Sequence, residues 1–114
     1  MEKQLISLLF PAGLLDYFEV VSLDQSNEEF VFYLDEKQIC PEGYHKKDLE
    51  SKGFYDLESI TDFPLRGRRC KLRLRRRKWI SKLDGKIIHR DWNLVAQGTR
   101  TTTEFATFLK EFNR

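Results

Sequence analysis

The sequence predicts an α+β fold, and three observations carry that prediction. Short segments rich in Val, Phe, Tyr and Leu alternate with polar turns, an Asp84-Gly85 pair marks a late hairpin, and apolar residues at helical spacing stand near both ends. At 114 residues the chain suits a single domain spanning 1–114. Residues 3–9 fit one or two helical turns, which Pro11 interrupts. Leu14, Leu15 and Phe18 then share a face of a second short helix over 13–18. Residues 19–23 and 30–34, joined by a polar run from Asp24 to Glu29, read as a β-hairpin. Residues 38–51 read as a loop, 54–60 as holding a short strand, and 62–67 as a turn punctuated by Pro64 and Gly67. Residues 69–80 form the next strand, and 87–95 its return partner across Leu83-Asp84-Gly85-Lys86. Gly98 ends the sheet. Thr101, Thr102 and Thr103 offer an N-cap for a C-terminal helix whose apolar stripe is Phe105, Phe108, Leu109 and Phe112. The expected architecture is short N-terminal helices, an antiparallel β-meander with ribbon-like hairpins, and a C-terminal helix.

The net charge of +2 hides a strong asymmetry. Residues 1–62 carry 5 Lys/Arg and 14 Asp/Glu, a net of −9. Residues 63–90 carry 12 Lys/Arg and one acid, Asp84, a net of +11, and residues 91–114 carry three of each sign. An anionic polymer is drawn to the middle of such a chain and repelled by its first half. Two cysteines, Cys40 and Cys70, make no disulfide framework and point to a reducing compartment with free thiols. No secretory leader is visible, and the apolar run over 8–15 is too short to span a bilayer and is broken by Pro11 and Gly13. The expectation is a soluble, cytoplasmic protein without membrane contact.

The basic strand is the most informative segment. Cys70, Leu72 and Leu74 alternate with Arg69, Lys71, Arg73, Arg75, Arg77 and Trp79, so the spacing predicts one apolar and one cationic face. Same-face residues recur every ~6.6–6.8 Å, close to the spacing of phosphates along a nucleic-acid strand, on the order of 6–7 Å. Arginine dominates, and its planar fork suits phosphate oxygens and guanine edges. The predicted contact residues are Arg69, Lys71, Arg73, Arg75 and Arg77, with Trp79 and Arg90 nearby and Arg66 and Arg68 in the preceding turn. Two other readings compete: pairing of these cations with the acidic first half, a partner's acids or a second copy, and simple decoration of a solvated face. Trp79 and Trp92 are each either base-contacting groups or core, with core favoured for Trp92.

Metal and catalytic sites read poorly. Cys40, His45, Cys70 and His89 lack the Cys-x2–4-Cys pairs of a structural zinc site, so no metal or other cofactor is expected. Asp62, Asp91 and Glu104 can be assembled on paper into a two-metal carboxylate set, but a turn residue, a partner for nearby arginine and a helix-start residue explain them as well. No nucleophile–base pair or Gly-rich phosphate loop is visible, and the chain reads as a non-enzyme.

Several linked segments resemble one family. Phe10-Pro11-Ala12-Gly13-Leu14-Leu15-Asp16-Tyr17-Phe18, Ser51-Lys52-Gly53-Phe54-Tyr55, Ile60-Thr61-Asp62-Phe63-Pro64-Leu65-Arg66-Gly67, Leu72-Arg73-Leu74-Arg75-Arg76-Arg77-Lys78-Trp79 and Asp91-Trp92-Asn93-Leu94-Val95-Ala96-Gln97-Gly98-Thr99-Arg100 occur in this order. Together they resemble the N-terminal region of ISAon-type insertion-sequence transposases over roughly residues 9–112. Related transposases carry a zinc ribbon here, then a helix-turn-helix and a catalytic domain. Asp62, Pro64 and Gly67 are similar to the ribbon's Asp-x-Pro-x-x-Gly turn. Cys40-Pro41 stands where a first metal knuckle begins, while residues 82–86 replace the second. The resemblance implies a ribbon that has lost its metal, and a DNA-binding accessory module that contacts double-stranded element-end DNA beside a separately encoded catalytic subunit. A protein-interaction module whose basic strand docks an acidic partner or a second copy is the alternative, and RNA binding is a third reading.

Overall fold

The computed structural model describes residues 8–92. Those residues group into two compact units, one formed by 8–18 with 91–92 and the other by Glu19–Arg90. In the first, a four-residue helix, α1 (Leu14–Tyr17), follows Gly13, whose φ of 96° lets the chain turn into it. Leu14 and Phe18 are fully buried, and the Phe18 ring stacks on Trp92 at 5.4 Å while Tyr17 meets Trp92 edge-on. Trp92 is thus an interior group.

The second unit is built from strands. These are β1 (Phe18–Gln25, whose first residue belongs to the other unit), β2 (Glu29–Glu36), β3 (Leu49–Phe54), β4 (Glu58–Leu65), β5 (Arg68–Arg75), β6 (Arg77–Ser81) and β7 (Ile87–Ile88). One sheet runs in the order β1-β2-β5-β4 and a second in the order β3-β6-β7. The described residues are therefore mostly β, which corrects the α+β expectation. Among them α1, a 3-10 turn over Lys46–Asp48 and Trp92 are helical. The expected C-terminal helix and most of the expected helix over 3–9 lie outside the described residues.

The meander is corrected as well. β2 and β5 run parallel, in register from Glu29↔Arg69 to Asp35↔Arg75, although 31 residues and two strands separate them in sequence. Local alternation identifies strands but not their partners, and a parallel neighbour needs a long crossover that no turn signal announces. On one face Phe32, Leu34, Ile60, Cys70, Leu72 and Leu74 are all buried. The apolar face expected from Cys70, Leu72 and Leu74 is the observed one.

The expected strand over 69–80 is two strands. Arg76 breaks it, and the chain passes there from one sheet to the other. The phase also flips. Buried positions are 70, 72 and 74 before the break, but 79 and 81 after it. Three consecutive arginines cover the break, so polarity gives no sign of the flip.

Between β4 and β5 the turn has two residues, Arg66 and Gly67, with φ of 53° and 76°. Two positive φ values define the hairpin turn whose twist matches the flanking strands and which normally carries Asn-Gly or Asp-Gly. A Cβ on Gly67 would touch nothing within 4 Å, so its requirement is conformational. Arg66 is the single non-glycine residue with positive φ among those described. That conformation costs an arginine about 1 kcal/mol. Arg66→Asn should raise the unfolding free energy by about that amount, measured by urea denaturation. An unchanged or lower stability would mean the turn is not strained.

Candidate nucleic-acid interface

β5 is a central strand, so its outward face is a row set between two neighbours. Arg69, Lys71, Arg73 and Arg75 alternate with the buried residues and lie in register with Glu29, Val31, Tyr33 and Asp35 of β2. Thr61 and Ser59 of β4 stand opposite Lys71 and Arg73 on the other side. The predicted row therefore exists, but it has an acidic strand beside it.

The pairs along that boundary differ in quality. Arg75 donates Nε and Nη2 to the two oxygens of Asp35, both at 2.7 Å, and its guanidinium lies over the Phe54 ring at 4.2 Å. This bidentate bond, more than anything else, pushes the Arg75 pKa up. Lys71 meets Glu29 and Arg69 meets Glu28 only at 3.7 Å, with the Arg69 and Glu28 side chains 64% and 82% exposed. The exposed Arg69–Glu28 pair is of a kind that contributes about 0–1 kcal/mol and exchanges readily with other anions, whereas Lys71–Glu29 is half-buried with Glu29 Oε2 enclosed. Arg73 lies over Tyr33 and Arg68 over Phe30, at 5.6 and 5.0 Å, which leaves both cations without a carboxylate among the described partners. Arg66 is exposed at the hairpin tip.

Three predicted contact residues are engaged elsewhere. Arg77 donates its backbone N–H to Glu36 Oε1 at 3.0 Å, Nε to the Glu36 carbonyl at 3.2 Å and Nη1 to Ser51 Oγ at 2.6 Å. It also shares the Phe54 ring with Arg75. It thus ties the end of β2 to β3 at the crossing between sheets. Trp79, expected on the cationic face, is 4% exposed and stands between Ser51 of β3 and Ile88 of β7. The phase flip at Arg76 turns it inward. Arg90 is 1% exposed and donates to Glu36 Oε2 at 3.3 Å, Glu42 Oε1 at 2.6 Å and the Ile39 carbonyl at 2.6 Å. None of the three offers its charge or ring to a ligand in this conformation.

The roles of Arg76 and Glu36 are not apparent from strand alternation. Arg76 pairs with Glu58 at 2.5 Å and stacks on Tyr55. Glu36, 1% exposed, is the acid on which Arg77 and Arg90 converge. Burial pushes its carboxyl above the ordinary glutamate range, against the pull of the Arg77 N–H and the Arg90 charge. One sequence signal does exist: the outward positions of β2 carry Glu29 and Asp35 at the strand period, complementary to the arginine row.

The remaining candidates are set apart. Cys70 is buried, and desolvation, with a smaller contribution from the Asp62 charge, pushes its thiol up to about 11. Cys40 donates Sγ–H to the carbonyls of Tyr44 and Pro41, at 3.3 and 3.6 Å. Among the described residues no three His, Cys, Asp or Glu side chains cluster as metal ligands would. Asp62 sits on β4 in register with Cys70, and Asp91 belongs to the other compact unit. Glu104, like the part of the expected return strand beyond residue 92, lies outside the described residues. A cleft of about 620 Å³ is lined by Gly43, Tyr44 and His45 on one side and Ser81, Leu83 and Asp84 on the other. No helix among the described residues is long and apolar enough to cross a membrane. Comparison of the chain with family models, with curated proteins and with solved structures gave no match.

Proposed function

We propose that this protein is a DNA-binding accessory module of an insertion-sequence transposase. It contacts duplex element-end DNA through the β4–β5 hairpin and the outer face of β5, in the cytoplasm, beside a separate catalytic subunit and without a catalytic group of its own. The observation that carries the proposal is the graded pairing of the cationic row. Arg69 and Lys71 hold only long ion pairs, the first of them exposed, Arg73 rests on the Tyr33 ring, Arg68 rests on Phe30 at the opposite face of the ribbon, and Arg66 projects from the tip. These five can exchange into phosphate contacts at little cost, whereas Arg75, Arg77 and Arg90 are held by the fold. The contact set is thus Arg66, Arg68, Arg69, Lys71 and Arg73.

A second observation supports the transposase resemblance. A zinc ribbon holds its metal between two facing knuckles. Gly43, Tyr44 and His45, which follow the Cys40-Pro41 segment, and Leu83, Asp84 and Lys86, from the segment that replaces the second knuckle, line one cleft beside the three-stranded sheet. In the second, side chains brace the turn: Ser81 Oγ accepts from the Leu83 N–H at 3.3 Å and Asp84 Oδ1 from the Lys86 N–H at 3.0 Å.

The test is fluorescence anisotropy with a labelled terminal-repeat duplex and a scrambled control across a salt series. Four to five phosphate contacts give a log–log slope of about −3.6 to −4.5, so binding should weaken roughly 150- to 500-fold between about 50 and 200 mM salt. Arg69→Ala and Lys71→Ala should each reduce the slope by about 0.9. A flat slope, or no binding at moderate salt, would sink the proposal. Tighter binding to single-stranded RNA than to duplex DNA would move the ligand to RNA.

A further inference from the structure

The Arg66-Gly67 turn asks why an arginine occupies a conformation that asparagine or glycine adopts at lower cost. The fold does not explain it. Among the described residues the Arg66 side chain has no ion pair, hydrogen bond or ring contact, while Arg69, Lys71, Arg75, Arg76 and Arg77 are each engaged. A strained, unengaged side chain at the tip of a hairpin is a candidate for a ligand contact.

The geometry of the tip says which contact. Pairing between β2 and β5 begins at Glu29↔Arg69, with the Arg69 N–H also donating to the Glu28 carbonyl, and β4 is the sheet edge, so the Leu65–Arg68 end of the two-stranded ribbon has the β1–β2 turn on one side and is open on the other. A B-DNA major groove is about 12 Å wide and about 8.5 Å deep, and it admits such a ribbon. At ~3.3 Å per residue that depth takes two to three residues of each strand. Arg66 then stands at the groove floor, with Arg69 and Lys71 near the height of the phosphates.

Resting on the DNA-binding reading above, we infer that Arg66 is a specificity-determining residue. The β4–β5 tip enters the major groove, and the Arg66 guanidinium takes the O6 and N7 of a guanine while the β5 cations hold the backbone. The arginine fork makes two parallel bonds to that edge, which a lysine cannot reproduce.

The experiment selects bound duplexes from a pool with a randomised centre, using the wild type, Arg66→Lys and Arg66→Asn. Wild type should enrich a motif containing an invariant G·C pair. Arg66→Lys should keep the salt slope on random duplex yet bind that motif about 5- to 150-fold more weakly, the range of one bidentate base contact. Arg66→Asn, which suits the turn and keeps the fold, should lose the same preference. Enrichment of the same motif with unchanged affinity by Arg66→Lys would overturn the inference, because Arg66 then acts as a point charge or not at all. Wild-type binding without any sequence preference would overturn it too and leave the DNA-binding proposal standing. No binding of any duplex by the wild type would overturn both.

Discussion

Arg90→Met will lower the unfolding free energy by about 3–5 kcal/mol, the usual cost of removing one partner from a buried ion pair. The reason is what the substitution leaves behind. Glu36 and Arg90 are both 1% exposed, and Arg90 also carries Glu42 and the Ile39 carbonyl. Without the guanidinium, Glu36 keeps only the Arg77 N–H, in a place where water does not reach it. Adding Glu36→Gln should recover about 2 kcal/mol, since a neutral amide can still accept that N–H and no longer strands a charge. The loss must also depend on pH in one direction. The folded-state pKa of Glu36 already stands above its unfolded value, so its ionisation weakens the fold as pH rises from the unfolded value through the folded one. Removing Arg90 raises the folded value further. The penalty is therefore larger at neutral pH and shrinks as pH falls below the ordinary glutamate range, to about pH 3, where Glu36 is protonated in both states. Urea denaturation of the three proteins at both pH values checks this. A penalty below about 1 kcal/mol, or one that grows on acidification, would contradict the buried pair.

Leu72→Ala will cost about 2.7–5 kcal/mol, while Lys71→Ala, one residue away, will change stability by less than about 0.5 kcal/mol. Leu72 is fully buried at the centre of β5, directly between Phe32 of β2 and Ile60 of β4. Truncation removes its transfer free energy and opens a cavity that two flanking strands prevent from closing. Lys71 faces out, and its one ion pair, to the half-buried Glu29, is long. Small domains are stable by only about 5–15 kcal/mol, so the leucine variant should show a lowered denaturation midpoint at room temperature, visible by circular dichroism in urea. Comparable losses from both variants would mean that β5 does not present opposite faces to core and solvent.

The contrast between these two neighbours is legible in the chain's own alternation. Strand periodicity is local, and Cys70, Leu72 and Leu74 declare the inner face by their own chemistry. The Asp84-Gly85 turn and the first hairpin are legible for the same reason. Arg90 is not. In sequence it is one more cation near a basic strand, and its partners Glu36, Ile39 and Glu42 lie about fifty residues away. Its burial depends on where β2 ends relative to the β5–β6 crossing. Trp79 escapes a sequence reading in a similar way. Extending the alternation of 70–74 puts it outside, but Arg76 carries the chain into another sheet and resets the phase.

The sequence by itself misplaced β3 and β4, reading a loop over 38–51 and a turn over 62–67, and overextended β7, which is Ile87–Ile88. It determined the strands of the first hairpin and of β5, which face of β5 is apolar, the Asp84-Gly85 turn, and that an acidic half precedes a basic segment. Those follow from periodicity, turn chemistry and charge counting, each readable within a few residues. Only the tertiary structure decided the pairing of β2 with β5. That pairing sets Asp35 against Arg75 and Glu29 beside Lys71, and it divides one row of like charges into residues held by the fold and residues free to exchange. The physical reason is that a charge's role depends on its dielectric surroundings and its nearest counter-charge. Both are set by strands distant in sequence that packing brings together.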